Sequence, residues 1–166
     1  AIDLSWKIMD PTRRAAEAAG QKSEGSGTED ILEPTVKKLE RFVTRRREIA
    51  ALYDRLLEAL EPAICPVWAA DRRQNPALHL YAILVDYNLI GKSRAQVMAE
   101  LKSLGIGTQV HYLPVHRQPY YRSLYGDLDL PGSTRYYDRV LSIPLYPDMT
   151  DADVERVVEA LRTVVG

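Results

Sequence analysis

Cysteine is almost missing from this sequence. Cys65 stands alone among 166 residues, so no internal disulfide can form, and such thiol usage fits a reducing, cytoplasmic setting. An excess of charge of either sign is missing too. The 22 basic and 23 acidic side chains leave a formal charge of −1, which gives no electrostatic reason to expect nucleic acid or a membrane surface as partner. No apolar run approaches a membrane span, and the N-terminus lacks the charged-then-apolar layout of a signal peptide. Phenylalanine is reduced to Phe42, against ten tyrosines, many of them late in the chain. What remains is an ordinary globular composition, 46% hydrophobic and 27% charged, in a length that one domain fills.

The chain divides into three stretches. Residues 1–32 hold a short helix candidate from Pro11 to Ala19, stopped by Gly20, and then a polar, glycine-containing linker over 21–29. Residues 33–61 form one long helix. Leu39, Phe42, Ile49, Tyr53, Leu56 and Leu60 recur at helical spacing, Pro34 suits a first turn, and Pro62 ends the run. The charged run Arg45-Arg46-Arg47-Glu48 reads as a solvated face of that helix.

Residues 62–166 read as a compact unit. Leu78 to Tyr87 is apolar on both alternating faces and predicts a buried strand. Ser93 with Gln96 is a capping box for a helix whose inner face is Val97, Met98, Leu101 and Leu104, stopped at Gly105. Ile106 to Leu113 predicts a second strand, broken by Pro114. Arg135 to Val140 is a helical approach to a third strand, Leu141 to Leu145, which Pro144 places at an edge or strand end. Thr150 and Asp153 cap a last helix with Val154, Val157, Val158, Leu161 and Val165 as its stripe. The economical way to bury these faces is a two-layer α/β (α+β) unit. Amphipathic helices pack on a small three-stranded sheet, with the long linking helix before it.

Chemistry concentrates in Val110 to Tyr121, where two of the three histidines, three tyrosines, an arginine and a glutamine fall together. A loop stiffened by Pro114 and Pro119 and dense in hydrogen-bonding aromatics is a common wall for a polar ligand. Taken singly, each of these residues is equally at home in packing or on the surface. His111 and His116 lack an acidic residue between them, so no metal set is expected. Gly91-Lys92-Ser93 is a helix start rather than a phosphate loop, because Asp86 stands where such a loop needs its first glycine. Cys65 has no context that would lower its thiol pKa.

The run from Gly105 to His116, followed by Gln118-Pro119-Tyr120-Tyr121, resembles the C-terminal domain of the DegT/DnrJ/EryC1/StrS aminotransferases. Leu141-Ser142-Ile143-Pro144-Leu145-Tyr146-Pro147 and Thr150-Asp151-Ala152-Asp153 are similar to the strand and helix start that close such proteins. The stretch from Leu39 to Ala50 resembles the family's linking helix. The likeness covers about Leu39 to Gly166, and HYLPVHRQPYY is most similar to enzymes making 4-amino sugars on UDP for pseudaminic acid and related glycans.

The resemblance implies a small domain of fold type I. It also implies a pyridoxal-phosphate enzyme that moves an amino group onto a keto-sugar nucleotide. By resemblance, His111, Tyr112 and His116 sit on the sugar-nucleotide side of the pocket, with Gln118 and Tyr120 supporting them, binding and stacking rather than attacking. No catalytic residue is assigned. None of Lys7, Lys22, Lys37, Lys38, Lys92 and Lys102 lies in the family's lysine motif. The chain is therefore expected to be truncated, to bind no pyridoxal phosphate covalently and to be inactive alone, with a separate large domain as a candidate partner. A homodimer touching Phe42, Ile49 or Tyr53 is expected. The competing expectation is a non-catalytic dimerisation or small-ligand-binding module.

Overall fold

The computed structural model describes residues 29–68 and 76–166. The helix expected at 11–19 and the linker at 21–29 fall outside the described residues, apart from Glu29. Two compact units divide the chain, Ala1–Lys37 and Lys38–Gly166. In order the elements are α1 (Glu29–Leu57), a 3-10 turn (Glu58–Leu60), β1 (Ile64–Pro66), β2 (Tyr81–Val85) and α2 (Arg94–Ser103). A second 3-10 turn (Val115–Arg117), α3 (Pro119–Tyr125), α4 (Pro131–Arg139), β3 (Val140–Ile143) and α5 (Asp151–Val165) complete it.

The sheet is antiparallel in the order β1-β2-β3. Ile64 pairs with Val85, and Tyr81 with Ile143. Three strands were expected, yet one of them is different. Ile106 to Leu113 is no strand; it makes a single bridge, Gln109 to Ser142, on the free edge of β3. Gly107 offers no side chain to pack, and beyond Gln109 the chain carries Tyr112 and Leu113 outward, so no face is buried to prolong the pairing. The missing strand is β1. Pro62 and Pro66 disguise it in the sequence, but Pro66 closes an edge strand, where its lack of an N–H is tolerated.

One buried cluster organises the second unit. Ile49, Tyr53 and Leu57 of α1, Ile83 and Val85 of β2, Leu101 of α2 and Val154 and Leu161 of α5 are all excluded from solvent. Each such aliphatic side chain contributes about 1.5–3 kcal/mol when withdrawn from water. The α1 stripe is therefore real from Ile49 onward, while Leu39 is exposed and Phe42 half-buried. Ile49 and Tyr53 are committed to this core, which removes them from any subunit contact. α1 also begins earlier than expected, at Glu29, so Pro34 lies beyond the first turn.

The capping boxes form as expected. Ser93 Oγ accepts from the Gln96 amide and Thr150 Oγ1 from that of Asp153, each third residue's side chain returning to the cap's own N–H. Lys92 bonds Glu100 at 2.7 Å and the Val164 carbonyl at 2.8 Å, so Gly91-Lys92-Ser93 joins α2 to α5. After α2 the chain turns at Gly105, φ +79°, where a Cβ would come within 2.9 Å of the Arg156 guanidinium.

Candidate functional site

The arginine run on α1 is not simply solvated. Arg45 donates to the Met149 carbonyl and to Asp151, and Arg47 donates to the Pro76 carbonyl at 3.0 Å. Both residues lie half-buried, as long cationic side chains often do. These bonds belong to the scaffold that carries the tyrosine-rich loop.

That loop leaves β3 at the Gln109 bridge, where Gln109 and Ser142 exchange both main-chain hydrogen bonds, at 2.8 and 3.1 Å. Two residues on, His111 is half-buried, with Nδ1 at 2.9 Å from the Oγ of Ser142. Partial burial and the neighbouring His79 push the His111 imidazole below its usual pKa. The Tyr112 ring stands edge-on to it, centroids 4.7 Å apart, and is 72% exposed.

Past Pro114 the backbone makes the 3-10 turn Val115–Arg117, which carries half-buried His116. Gln118 caps α3, its own N–H bonded to the Val115 carbonyl and its carbonyl receiving the Arg122 amide. The Gln118 side chain reaches back to the Leu113 carbonyl at 3.4 Å. Tyr120 projects from α3, 66% exposed and edge-on to Tyr121. Five candidate residues thus share one loop, with His111 and Tyr112 in contact and Gln118 bracing Leu113. Among the described residues no hydrogen bond or ring contact ties His116 to the other four.

Arg117, Arg122 and Ser142 had no role in the sequence-based assignment. Arg117 donates to Thr134 Oγ1 at 2.9 Å and lies 5.8 Å from the Tyr137 ring centre, with Arg94 4.7 Å from the same ring. Arg117 and Arg122 line an open concavity of about 410 Å³ with Asp127, which takes two bonds from Arg122. The third neighbour is Ser142, whose signal was a lone hydroxyl inside an apolar strand. Helix α3 was missed because all its residues are exposed, so no apolar stripe announces it.

Among the described residues no group of three His, Cys, Asp or Glu could hold a metal, and no helix is long and apolar enough to cross a membrane.

Residues 31–162 match the model of the DegT/DnrJ/EryC1/StrS aminotransferase family. Spore coat polysaccharide biosynthesis protein SpsC of Bacillus subtilis (strain 168) is 41% identical over 133 residues, covering 78% of this chain and 34% of SpsC. Helicobacter pylori PseC, an aminotransferase involved in the biosynthesis of pseudoaminic acid, has the same fold over 78% of this chain and 34% of its own, at a TM-score of 0.69 and 23% identity. DesI, solved in the presence of its TDP-sugar product, gives a TM-score of 0.66 at 29% identity, over 75% of this chain and 31% of its own. The chain thus spans about a third of the length of these relatives.

The family depends on pyridoxal phosphate, which needs a lysine free to form a Schiff base. The lysines whose side chains are described do not fit it. Lys92 is held by Glu100 and the Val164 carbonyl, while Lys38 and Lys102 lie exposed on helices.

Proposed function

This chain belongs to the DegT/DnrJ/EryC1/StrS aminotransferase family, and we propose that it supplies the substrate-side wall of an enzyme that aminates a keto-sugar nucleotide. The observation that carries this reading is the exposure of Tyr112, on the loop, and of Tyr120, on α3, in a segment whose polar groups would be costly to bury for packing alone. His111, Tyr112 and His116 meet the sugar nucleotide by hydrogen bonding and stacking, and Gln118 and Tyr120 support them. The loop's sequence favours a UDP-linked 4-keto sugar over other nucleotides. The amino-transfer chemistry itself falls to the part of such an enzyme that this chain does not span, acting in the cytoplasm. Val115, Leu124 and Tyr125 are also exposed, an apolar surface that the large domain would cover. We further propose a homodimer, with Phe42 as the remaining candidate contact.

A second reading is favoured by the lysine placement: a non-catalytic module that retains sugar-nucleotide binding or dimerisation. Titration of the isotope-labelled chain with UDP- and TDP-sugars, followed by amide and side-chain NMR shifts, tests the shared part of both readings. Saturable shifts centred on residues 110–121 are expected. Shifts absent from that loop but present elsewhere would overturn the site.

A further inference from the structure

We propose that Ser142 is a positioning residue, whose hydroxyl donates to Nδ1 of His111 and locks that imidazole as the neutral tautomer protonated on Nε2. Ser142 is the buried polar residue of the core strands, only 4% exposed, and its main-chain N–H and carbonyl are both engaged by Gln109. Its Oγ lies 2.9 Å from His111 Nδ1 and has no other hydrogen-bond partner among the described residues.

A hydroxyl carries one proton, and a neutral imidazole offers one acceptor and one donor nitrogen. Suppose Nδ1 carried the proton and Ser142 accepted it. The serine's own proton would then be buried without an acceptor, an arrangement that folded proteins avoid. If Ser142 donates instead, a single bond satisfies both groups, and the imidazole proton must sit on Nε2. Protonating the ring would also turn Nδ1 into a donor and orphan the serine proton. The bond therefore opposes the charged form, in the same direction as partial burial and the charge of His79.

The consequence is chemical. Among the described residues nothing engages Nε2–H, so His111 offers a neutral donor suited to an oxygen acceptor such as a carbonyl, hydroxyl or phosphate oxygen. Assigning that oxygen to a sugar nucleotide rests on the function proposed above, whereas the tautomer does not.

Long-range proton–nitrogen NMR on the histidine-labelled chain, at a pH where His111 is neutral, reads the tautomer directly. The Nε2–H form is expected in the wild type, and a predominant Nδ1–H form would overturn the proposal. Ser142→Ala should release a tautomer mixture and move the His111 titration midpoint upward, towards an ordinary histidine. Ser142→Thr, which keeps the hydroxyl, should restore the wild-type signature. A folded Ser142→Ala variant with an unchanged tautomer would also overturn the proposal. If that variant fails to fold, the wild-type spectrum still decides. An Nε2–H tautomer that no nucleotide sugar perturbs would sustain the positioning role and count against the ligand assignment alone.

Discussion

Arg45, on the long helix, donates twice to the main-chain oxygen of Met149, at 2.7 and 3.2 Å, across 104 residues of sequence. The same guanidinium bonds Asp151 at 2.8 Å, in the first turn of the last helix. One planar fork thus fastens the helix before the small domain to the element that closes it. Arg45→Ala should lower unfolding stability by about 1.5 kcal/mol, the scale of a charge-assisted hydrogen bond. Arg45→Lys should recover only part of this, because an ammonium cannot span both acceptors. Urea denaturation of the three proteins checks the order.

Tyr53 and Tyr87 should respond differently to loss of the hydroxyl. Tyr53 donates to the Pro144 carbonyl at 3.0 Å, so Tyr53→Phe should cost about 1 kcal/mol. The Tyr87 hydroxyl is buried without a partner among the described residues, and burial pushes its pKa up to about 12. Tyr87→Phe should therefore be neutral or stabilising. Thermal melts of the two variants decide it.

The cap of the last helix predicts an acid response. The Thr150 amide and hydroxyl both donate to the Asp153 carboxylate and hold its pKa below the ordinary 3.8. A carboxylate depressed in the folded state stabilises fully above its unfolded pKa, and that contribution fades as pH falls through the folded value. The stability gap between wild type and Asp153→Asn should thus be widest at neutral pH and close as pH drops below 3.8. Thr150→Ala, which removes the cap itself, should cost about 1 kcal/mol at neutral pH. Denaturation curves from pH 7 down to pH 3 read both effects.

The loop should be cheap to alter. Tyr120 is mostly exposed, so Tyr120→Ala should change stability by no more than about 0.5 kcal/mol, and His116→Ala by a similarly small amount. Leu101 is fully buried, and Leu101→Ala should cost roughly 2–5 kcal/mol. If the loop variants lost as much as Leu101→Ala, the loop would be packing and its assignment as a binding wall would fail.

What could be read from sequence follows from where each signal originates. The two capped helices were legible because Ser93 with Gln96, and Thr150 with Asp153, are local patterns satisfied within one turn. β2 was legible because Tyr81 to Val85 is apolar at every position, the mark of a strand buried in a sheet. β1 was not, since it is three residues long and bounded by prolines, and pairing with β2 creates it. The stretch from Ile106 misled for the converse reason: Ile106 is buried, but past the Gln109 bridge the chain leaves Tyr112 and Leu113 exposed, so its strand propensity finds no continued pairing. In the candidate site, residue types marked the loop, whereas the bond between His111 and Ser142 joins positions 31 apart and needs the fold.

Residues 110–121 are proposed as the sugar-nucleotide wall of an aminotransferase. The most direct test of that assignment is a chimera in which the matching third of SpsC is replaced by residues 31–162 of this chain. Turnover of a keto-sugar nucleotide would be measured with and without Tyr112→Ala and His116→Ala. The chimera should be active, with a turnover that falls roughly tenfold or more with each substitution, the scale of one lost interaction in the transition state. A chimera that works equally well with both substitutions would contradict the assignment.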